Sequence, residues 1–511
     1  MTETNSLSVA EQRDRFRTWL RREVGNEPIR IVETHVSFLG MSADRVWKLK
    51  KAVRFPFIDL STPGLRRLNA EREVALNRRF APDVYLRVVP LDVDGVTVDV
   101  VVEMRRMPDD RRLAVVASHG GADDCVDRIA EALALIHRDA PSSPEIDRTG
   151  SSEYLAELWE RNLTEMRPYA TSVLDADHLA QIASGARQYI AGRGPLFAQR
   201  ISLGRIRDGH GDLLADDVFC LDDGPRFLDC LEFDDQLRYG DVLGDVAFLG
   251  MDLERLGHPD LAGRLLDRYR QATGDSWPPS LADFYVAYRA IVRSKIACLG
   301  TTVDDTAAAS AASEMARRLL GLAAAHLARG RVRLVLVGGP PATGKTTLAR
   351  ELARRTGWAV VHSDEVRKAL AGLEPRTSAA DELDSGLYSP AWHGRTYDAV
   401  LDTARALLGR GESVILDASW SDAARRDDAA RLATSTASSL TSFVLTVPAE
   451  LADARARSRA SAHTDASDVS DTLSESLRSR FTAWPGAIEV DAAQSLNVLA
   501  LRVLEELQHA G

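Results

Sequence analysis

The sequence predicts two unlike halves: an α+β first half, β-rich then α-rich, and an α/β second half built on a parallel sheet. Three observations predict this. Alternating, β-branched runs fill residues 28–107 around a single helical stretch. Apolar stripes spaced three and four residues apart dominate from about 122 to 300. After Gly330 the rhythm changes to short apolar strands alternating with helices.

Each element follows from its own pattern. The opening MTETNSLSVAEQRDRFRTWLRREVG reads as an amphipathic helix, without the apolar core or cleavage pattern of a signal peptide. IRIVETHVSFLG, ADRVWKLKK, YLRVVPL and VTVDVVVEMRRM read as strands, with LRRLNAEREVALNRRFA a helix among them. The expected order is strand, strand, helix, strand, strand, strand. Cys125, Ile129, Leu133 and Ile136 form one helical stripe; Tyr154, Leu155, Leu158, Trp159 and Leu163 form another. Residues 207–235, polar, turn-rich and crowded with Asp, interrupt the helices, which resume over 243–300. An Ala-rich stretch, 305–329, carries Met315, Leu319 and Leu322 on one stripe and ends at Gly330. VRLVLV, WAVVHS, SVILDA, SFVLTV and AIEV then supply the strands of the second half. The expected organisation is a domain over 1–304, a connecting helix over 305–330 and a domain over 331–511. Residues 459–471, rich in Ser, Ala and Asp, read as a mobile segment.

Composition excludes several functions. Across 511 residues, 64 Lys and Arg stand against 75 Asp and Glu, a net charge of −11. That balance opposes a chain whose main task is to coat nucleic acid or an anionic membrane. With 45% hydrophobic and 27% charged residues the chain is ordinarily globular. Four cysteines without a CxxC pair form neither a disulfide scaffold nor a structural zinc site. No run approaches the ~20 apolar residues of a membrane span. A soluble, cytoplasmic protein is expected; oligomeric state is not encoded in any pattern.

The strongest motif is Gly339-Pro340-Pro341-Ala342-Thr343-Gly344-Lys345-Thr346, followed by Thr347, with an apolar strand before it and a helix after it. This is the phosphate-loop pattern in its required context. Glycines let backbone N–H groups turn inward around a phosphate, and the helix adds its positive end. Lys345 reaches the β- and γ-phosphates, and the Thr346 hydroxyl ligates Mg²⁺. Asp417 closes the run SVIL at a strand's carboxyl end, where it either holds Mg²⁺ or caps the helix from 421 onward. Asp364 ends WAVVHS at another strand tip. It either accepts a proton from an acceptor hydroxyl or caps a helix.

GGPPATGKTTLA, HSDEVRKALAG and VILDASW together resemble the small P-loop kinases, the group holding gluconate kinase-like and polynucleotide 5′-kinase-like enzymes. The resemblance implies that Asp364 acts on the acceptor hydroxyl and Arg367 binds substrate. It also implies that lid arginines close on the phosphates, with Arg455 and Arg459 as the candidates and a solvated helix face as their alternative.

A second constellation lies in the first half. In kinase-type transfer a loop Asp takes the hydroxyl proton, a residue five positions on holds metal, and so does an Asp beyond the next strand. Asp212 of the sequence HGD, then Asp217, then Asp229 have that spacing, with His210 bracing the loop. VWKLKKAV, EREVALNRRFAPDVYLRVVP, EMRRMP, HGDLLADD, FLDCLEFDD and DVLGDVAFL together resemble the aminoglycoside phosphotransferase family, a branch of the protein kinase-like fold. The resemblance implies that Lys50 pairs with the ATP α- and β-phosphates, with Lys48 on the same strand face as the alternative. It further implies that Glu73, better placed than Glu71, orients that lysine and that residues 102–104 meet adenine through the backbone. The family has Asn where this chain has Asp217, which adds a negative charge beside the phosphates.

Both halves together resemble bacterial two-domain proteins in which a phosphotransferase-like half is fused to a P-loop kinase-like half. That implies ATP and Mg²⁺ as cofactors and transfer of a phosphoryl group to a small hydroxyl- or amine-bearing acceptor. Asp234 and Asp235 line a pocket for a cationic acceptor or are surface charge. The alternatives are a nucleotide-binding regulator, with the first half a pseudokinase gating a P-loop ATPase, and a polynucleotide 5′-kinase-like enzyme. The net charge weighs against nucleic acid.

Overall fold

The computed structural model describes residues 9–25, 27–55, 58–302, 305–374, 386–448, 450–455 and 481–509. Arg459 and the stretch 459–471 lie outside the described residues. The chain divides into two compact units. One comprises Met1–Tyr154, Arg200–Ser276 and Tyr288–Arg293; the other comprises Leu155–Gln199, Trp277–Ala287 and Ser294–Gly511.

In the first unit β1 (Arg30–Glu33), β2 (Ser37–Met41) and β3 (Arg45–Lys50) run antiparallel, followed by a short ribbon of β4 (Arg54–Phe55) and β5 (Ile58–Asp59). After the helix Pro63–Asn77 come β6 (Tyr85–Val93) and β7 (Val96–Arg105), and the sheet order is β1-β2-β3-β7-β6. The alternation along β3 explains its two faces. Trp47 and Leu49 point to the helix Val9–Val24 and pack with Phe16, Trp19 and Leu20. Val46 packs on the other face, against Ala70 and Val74 of the helix Pro63–Asn77. The run read as one strand over 29–40 is instead the hairpin β1–β2. The Thr34 hydroxyl accepts the Ser37 N–H at 3.0 Å, and the Thr34 N–H reaches the Ser37 carbonyl, which turns the chain.

The rest of this unit is helical around two small antiparallel pairs. They are β8 (Ile206–Asp208) with β11 (Tyr239–Asp241), and β9 (Val218–Leu221) with β10 (Gly224–Phe227). A disulfide joins Cys125, on the helix Asp123–Asp139, to Cys220 on β9, while Cys230 and Cys298 are buried thiols. No spacing rule signalled that pairing, because it depends on two segments 95 residues apart packing side by side.

The second unit holds a parallel sheet of β12 (Arg333–Gly338), β13 (Ala359–His362), β14 (Val414–Asp417), β15 (Ser439–Thr446) and β16 (Ile488–Asp491), in the order β13-β14-β12-β15-β16. Val335, Val337, Ile415 and Phe443 pack against Leu348 and Leu352 of the helix Lys345–Thr356 and Val503 of the helix Leu496–His509. The Ala-rich helix Thr306–Arg329 is not a free connector: it buries Ala316, Leu319, Leu320 and Ala323 and packs on the helix Ala176–Gly192. The units therefore do not separate at a single cut near 305–330. Trp159, Tyr189 and Phe284 form an aromatic cluster, with Tyr189 stacked 4.6 Å from Phe284. Ser280 donates to the Gly411 carbonyl at 2.7 Å, and the buried Arg193 guanidinium donates to the carbonyls of Leu408 and Thr436. These contacts hold helices from the middle of the chain in the unit of the parallel sheet. Among the described residues no helix is long and apolar enough to cross a membrane.

Candidate active sites

The phosphate loop leaves β12 at Gly338 and enters the helix Lys345–Thr356. Gly339 has φ 133°, and a Cβ there would lie 2.6 Å from the Leu445 carbonyl oxygen, so no other residue fits. Gly344 (φ 97°) and Ala342 (φ 65°) are also left-handed. The Lys345 ammonium folds over the loop and donates to the Pro340 carbonyl at 2.9 Å, where the Thr343 hydroxyl also donates. Parallel register sets Asp417 opposite Val337, just ahead of the loop. The Thr346 hydroxyl donates to Asp417 Oδ2 at 2.7 Å, and His362 Nδ1 lies 2.8 Å from the same oxygen. The helix Ala423–Ser435 is capped by Asp422, whose side chain accepts from Ala424 N, so Asp417 is not its cap.

Asp364 lies one residue inside the helix Ser363–Leu370, whose cap position is His362, so the capping alternative fails there too. Its Oδ1 receives Arg367 Nη1 at 2.6 Å. Arg367 is buried, and near it the His393 ring lies tilted, 4.6 Å from that of Tyr397. Burial, with Arg367 and Arg425 close by, holds the His393 ring below its ordinary pKa. Arg455 reaches the Thr343 carbonyl at 3.4 Å and the Ala492 carbonyl at 2.9 Å, which places it against the loop. His362 and His393 were not singled out in the sequence; His362, directly before Ser363-Asp364 at a strand tip, carried the only signal.

The first unit gathers a denser set of charges. Lys48 Nζ lies 2.7 Å from Glu73 Oε1 and 2.8 Å from Asp229 Oδ1. Lys50 Nζ lies 2.8 Å from Glu73 Oε2 and 2.6 Å from Glu232 Oε1. Both lysines point to one face of β3 because they are two residues apart. Lys48 reaches the Asp229 carboxylate; Lys50 is occupied by Glu232. Glu73 is fully buried between them and Glu71 is exposed. Glu232 escaped the sequence reading, although FLDCLEFDD places it three residues after Asp229.

Asp229 has φ 64°, and its N–H donates to Tyr85 Oη at 3.1 Å. The ammonium of Lys48 holds its carboxyl down at about 2. His210 is buried, with Nε2 3.1 Å from the Leu228 carbonyl, so it braces the chain just ahead of Asp229. Burial pulls this imidazole down to about 4. The backbone N–H groups of His210 and Gly211 both donate to Asp245, at 2.5 and 3.0 Å. Asp212 faces Arg293 at 3.8 Å, and burial raises its carboxyl above the ordinary range. Asp217 is raised further, by burial and by Asp229 and Asp212.

Residues 102–104 are paired on both sides, with β3 and with β6, so their backbone is not open to adenine as expected. Asp235 is taken by Arg72 and Arg238, while Asp234 accepts the Gln236 N–H at the cap of the turn that follows.

Among the described residues no three acidic, His or Cys side chains already converge as a metal site. The donor sets nevertheless suit Mg²⁺. Thr346 and Asp417 pair a hydroxyl with a carboxylate beside the loop. Asp212, Asp217 and Asp229 offer carboxylate oxygens, the hard donors that a divalent cation such as Mg²⁺ takes.

Residues 334–484 match the family described as AAA domain. Two mycobacterial proteins, uncharacterized protein Rv2004c of Mycobacterium tuberculosis and uncharacterized protein Mb2027c of Mycobacterium bovis, are each 41% identical over 473 residues, covering 92% of this chain and 94% of theirs. Among solved structures, a choline/ethanolamine kinase family protein from Mesorhizobium loti is 15% identical over 62% of this chain and 98% of its own, with a TM-score of 0.40. A chain described as a putative kinase, from Chloroflexus aurantiacus, is 21% identical over 35% of this chain and 98% of its own, with a TM-score of 0.29. This chain belongs to the family of those mycobacterial proteins, and its residues 334–484 carry the AAA domain match.

Proposed function

We propose that the chain is an ATP-dependent phosphotransferase with two phosphoryl-transfer centres acting on small acceptors. The observation that carries this reading is the phosphate loop with Thr346 hydrogen-bonded to Asp417 at its mouth. In the second unit the loop N–H groups and Lys345 hold the triphosphate, and Thr346 and Asp417 hold Mg²⁺, which when bound offsets charge on the phosphates. Asp364 takes the proton of the acceptor hydroxyl as its oxygen bonds to the γ-phosphorus and ADP departs. Arg367 holds the acceptor, and Arg455 supports the phosphates.

In the first unit Lys48, oriented by Glu73, takes the α- and β-phosphates. Lys50 fixes Glu73 and Glu232. Asp212 accepts the acceptor proton, and Asp217 and Asp229 are the Mg²⁺ ligands. Arg293 beside Asp212, with Asp235 paired to Arg72 and Arg238, supports an acceptor that is not polycationic.

The test is ATP turnover by wild type, Lys345→Ala, Asp212→Asn and the double variant, with a panel of small acceptors. Each single variant is expected to lose part of the turnover and the double variant all of it. Loss with Lys345→Ala alone identifies the first unit as a regulator. Turnover unchanged in the double variant rejects both centres. Asp217 is the feature that favours the regulator reading.

A further inference from the structure

A cavity of about 310 Å³ lies inside the second unit, away from the phosphate loop. Its walls come from the helix Ala176–Gly192, the end of the helix Thr306–Arg329, the start of β12 and Gln508. Arg333 begins β12 and the phosphate loop follows its end, so about 17 Å of strand separates the two.

No residue lining this cavity is acidic, yet Arg193, Arg331 and Arg333 all line it. Arg193 is fully buried; two of its nitrogens donate to carbonyls at the ends of the helices Pro390–Gly409 and Ala423–Ser435, which answers much of its charge. Its Nε has no partner. Arg331 and Arg333 have no such answer: neither makes an ion pair among the described residues, and Arg333 Nη1 is buried without a hydrogen-bond partner. Burial, with Arg331 beside it, pulls the Arg333 guanidinium below its ordinary pKa. The nearby Asp283 is committed to His326 and Arg329, at 2.7 and 2.8 Å. Arg331 and Arg333 are each partly buried, and a partly buried cation with an orphaned nitrogen beside a second cation is costly unless an anion in the cavity answers it.

We propose that this cavity is a binding site for a small anionic molecule bearing phosphate or carboxylate groups. Arg331 and Arg333 supply the charge. His178, Gln181, Gln188 and Gln508, which share the walls, supply neutral hydrogen bonds that orient the ligand. The volume fits a small metabolite and is too small for a whole nucleotide triphosphate with its metal and hydration shell. The site is independent of the two transfer centres.

The experiment uses the full chain carrying Lys345→Ala and Lys48→Ala, so that neither nucleotide site contributes. Thermal unfolding is followed with inorganic phosphate, with malonate and with chloride at matched ionic strength. Phosphate, malonate or both are expected to raise Tm in a saturable manner that chloride does not reproduce; which of them acts identifies the anionic group. Arg331→Gln and Arg333→Gln, each added to that background, are expected to weaken the half-saturating concentration at least tenfold. Arg331 is only partly buried, so Arg331→Gln stands as the test by itself if Arg333→Gln misfolds. A shift with neither anion, or one that persists unweakened in Arg331→Gln, overturns the proposal.

Discussion

The phosphate loop and the lysine–carboxylate cluster, for which the same chemistry is proposed, are built from opposite materials. The loop of the second unit is made from consecutive residues, and the phosphate ligands proposed for it are mainly backbone N–H groups. Its shape depends on left-handed backbone at Gly339, Ala342 and Gly344, a local property. The cluster of the first unit is made from side chains. Lys48, Glu73, Asp229 and Glu232 come from segments more than 180 residues apart at the extremes, as the 182-residue separation of Lys50 and Glu232 shows. A backbone site tolerates side-chain change and fails when a Cβ intrudes. A side-chain site is set by charge balance and fails when one partner is removed.

The sharpest way to break this contrast is Gly339→Ala. The added Cβ meets the Leu445 carbonyl at 2.6 Å in a backbone conformation that alanine rarely adopts. Nucleotide affinity of the second unit should fall by about a hundredfold or more, on the order of 3 kcal/mol of lost binding. Affinity at the first unit should not change. Equilibrium titration with a fluorescent ATP analogue, in the presence and absence of Lys48→Ala, separates the two sites. Unaltered binding by Gly339→Ala would show that the loop does not grip phosphate through its backbone.

The second prediction divides the two lysines. Lys48→Ala should lower nucleotide affinity of the first unit by about ten- to a hundredfold with a smaller cost in stability, because Asp229 is open to solvent and Lys50 still answers Glu73. Lys50→Ala should instead cost stability, about 3 kcal/mol, because it strands Glu232 and half of buried Glu73. Thermal unfolding and nucleotide titration of both variants check this. The reverse pattern, with affinity lost at Lys50 and stability at Lys48, would exchange the roles assigned to them.

The smallest effect is a pH dependence. His210 is held neutral, down at about 4 against an ordinary 6.5. Between those values the unfolded chain binds a proton that the folded chain does not, so stability falls as pH drops below 6.5 and the loss is complete near 4. Between pH 7 and pH 5 this amounts to about 2 kcal/mol at most. His210→Asn should lower Tm at pH 7, through the lost bond to Leu228, yet show a smaller further drop at pH 5 than wild type. Equal drops in both proteins would mean that this imidazole charges freely in the fold.

Much of the architecture was legible before any coordinates. The short apolar runs VRLVLV, SVILDA and SFVLTV, alternating with helices, are what a parallel sheet covered on both faces requires. The order Lys, Glu, HGD, Asp anticipated which segments meet in the first unit. Other features were not legible. Thr34 splits one predicted strand into a hairpin through a side-chain turn that alternation does not encode. Residues 102–104 satisfied the spacing for an adenine contact, but sheet pairing on both sides consumes their backbone. Asp234 and Asp235 read as pocket lining or as surface charge, and only the fold sets Arg72 and Arg238 against Asp235.

Alone, the sequence determined the class of each half and the whole of the phosphate loop, because strand periodicity and a contiguous glycine turn are short-range properties of the chain. Tertiary structure decided which lysine faces Asp229, that Glu232 joins the cluster, that Cys125 meets Cys220 and that uncompensated arginines share a cavity. These depend on distances between residues remote in sequence. Coulomb energy and desolvation vary with such distances, and no local pattern carries them.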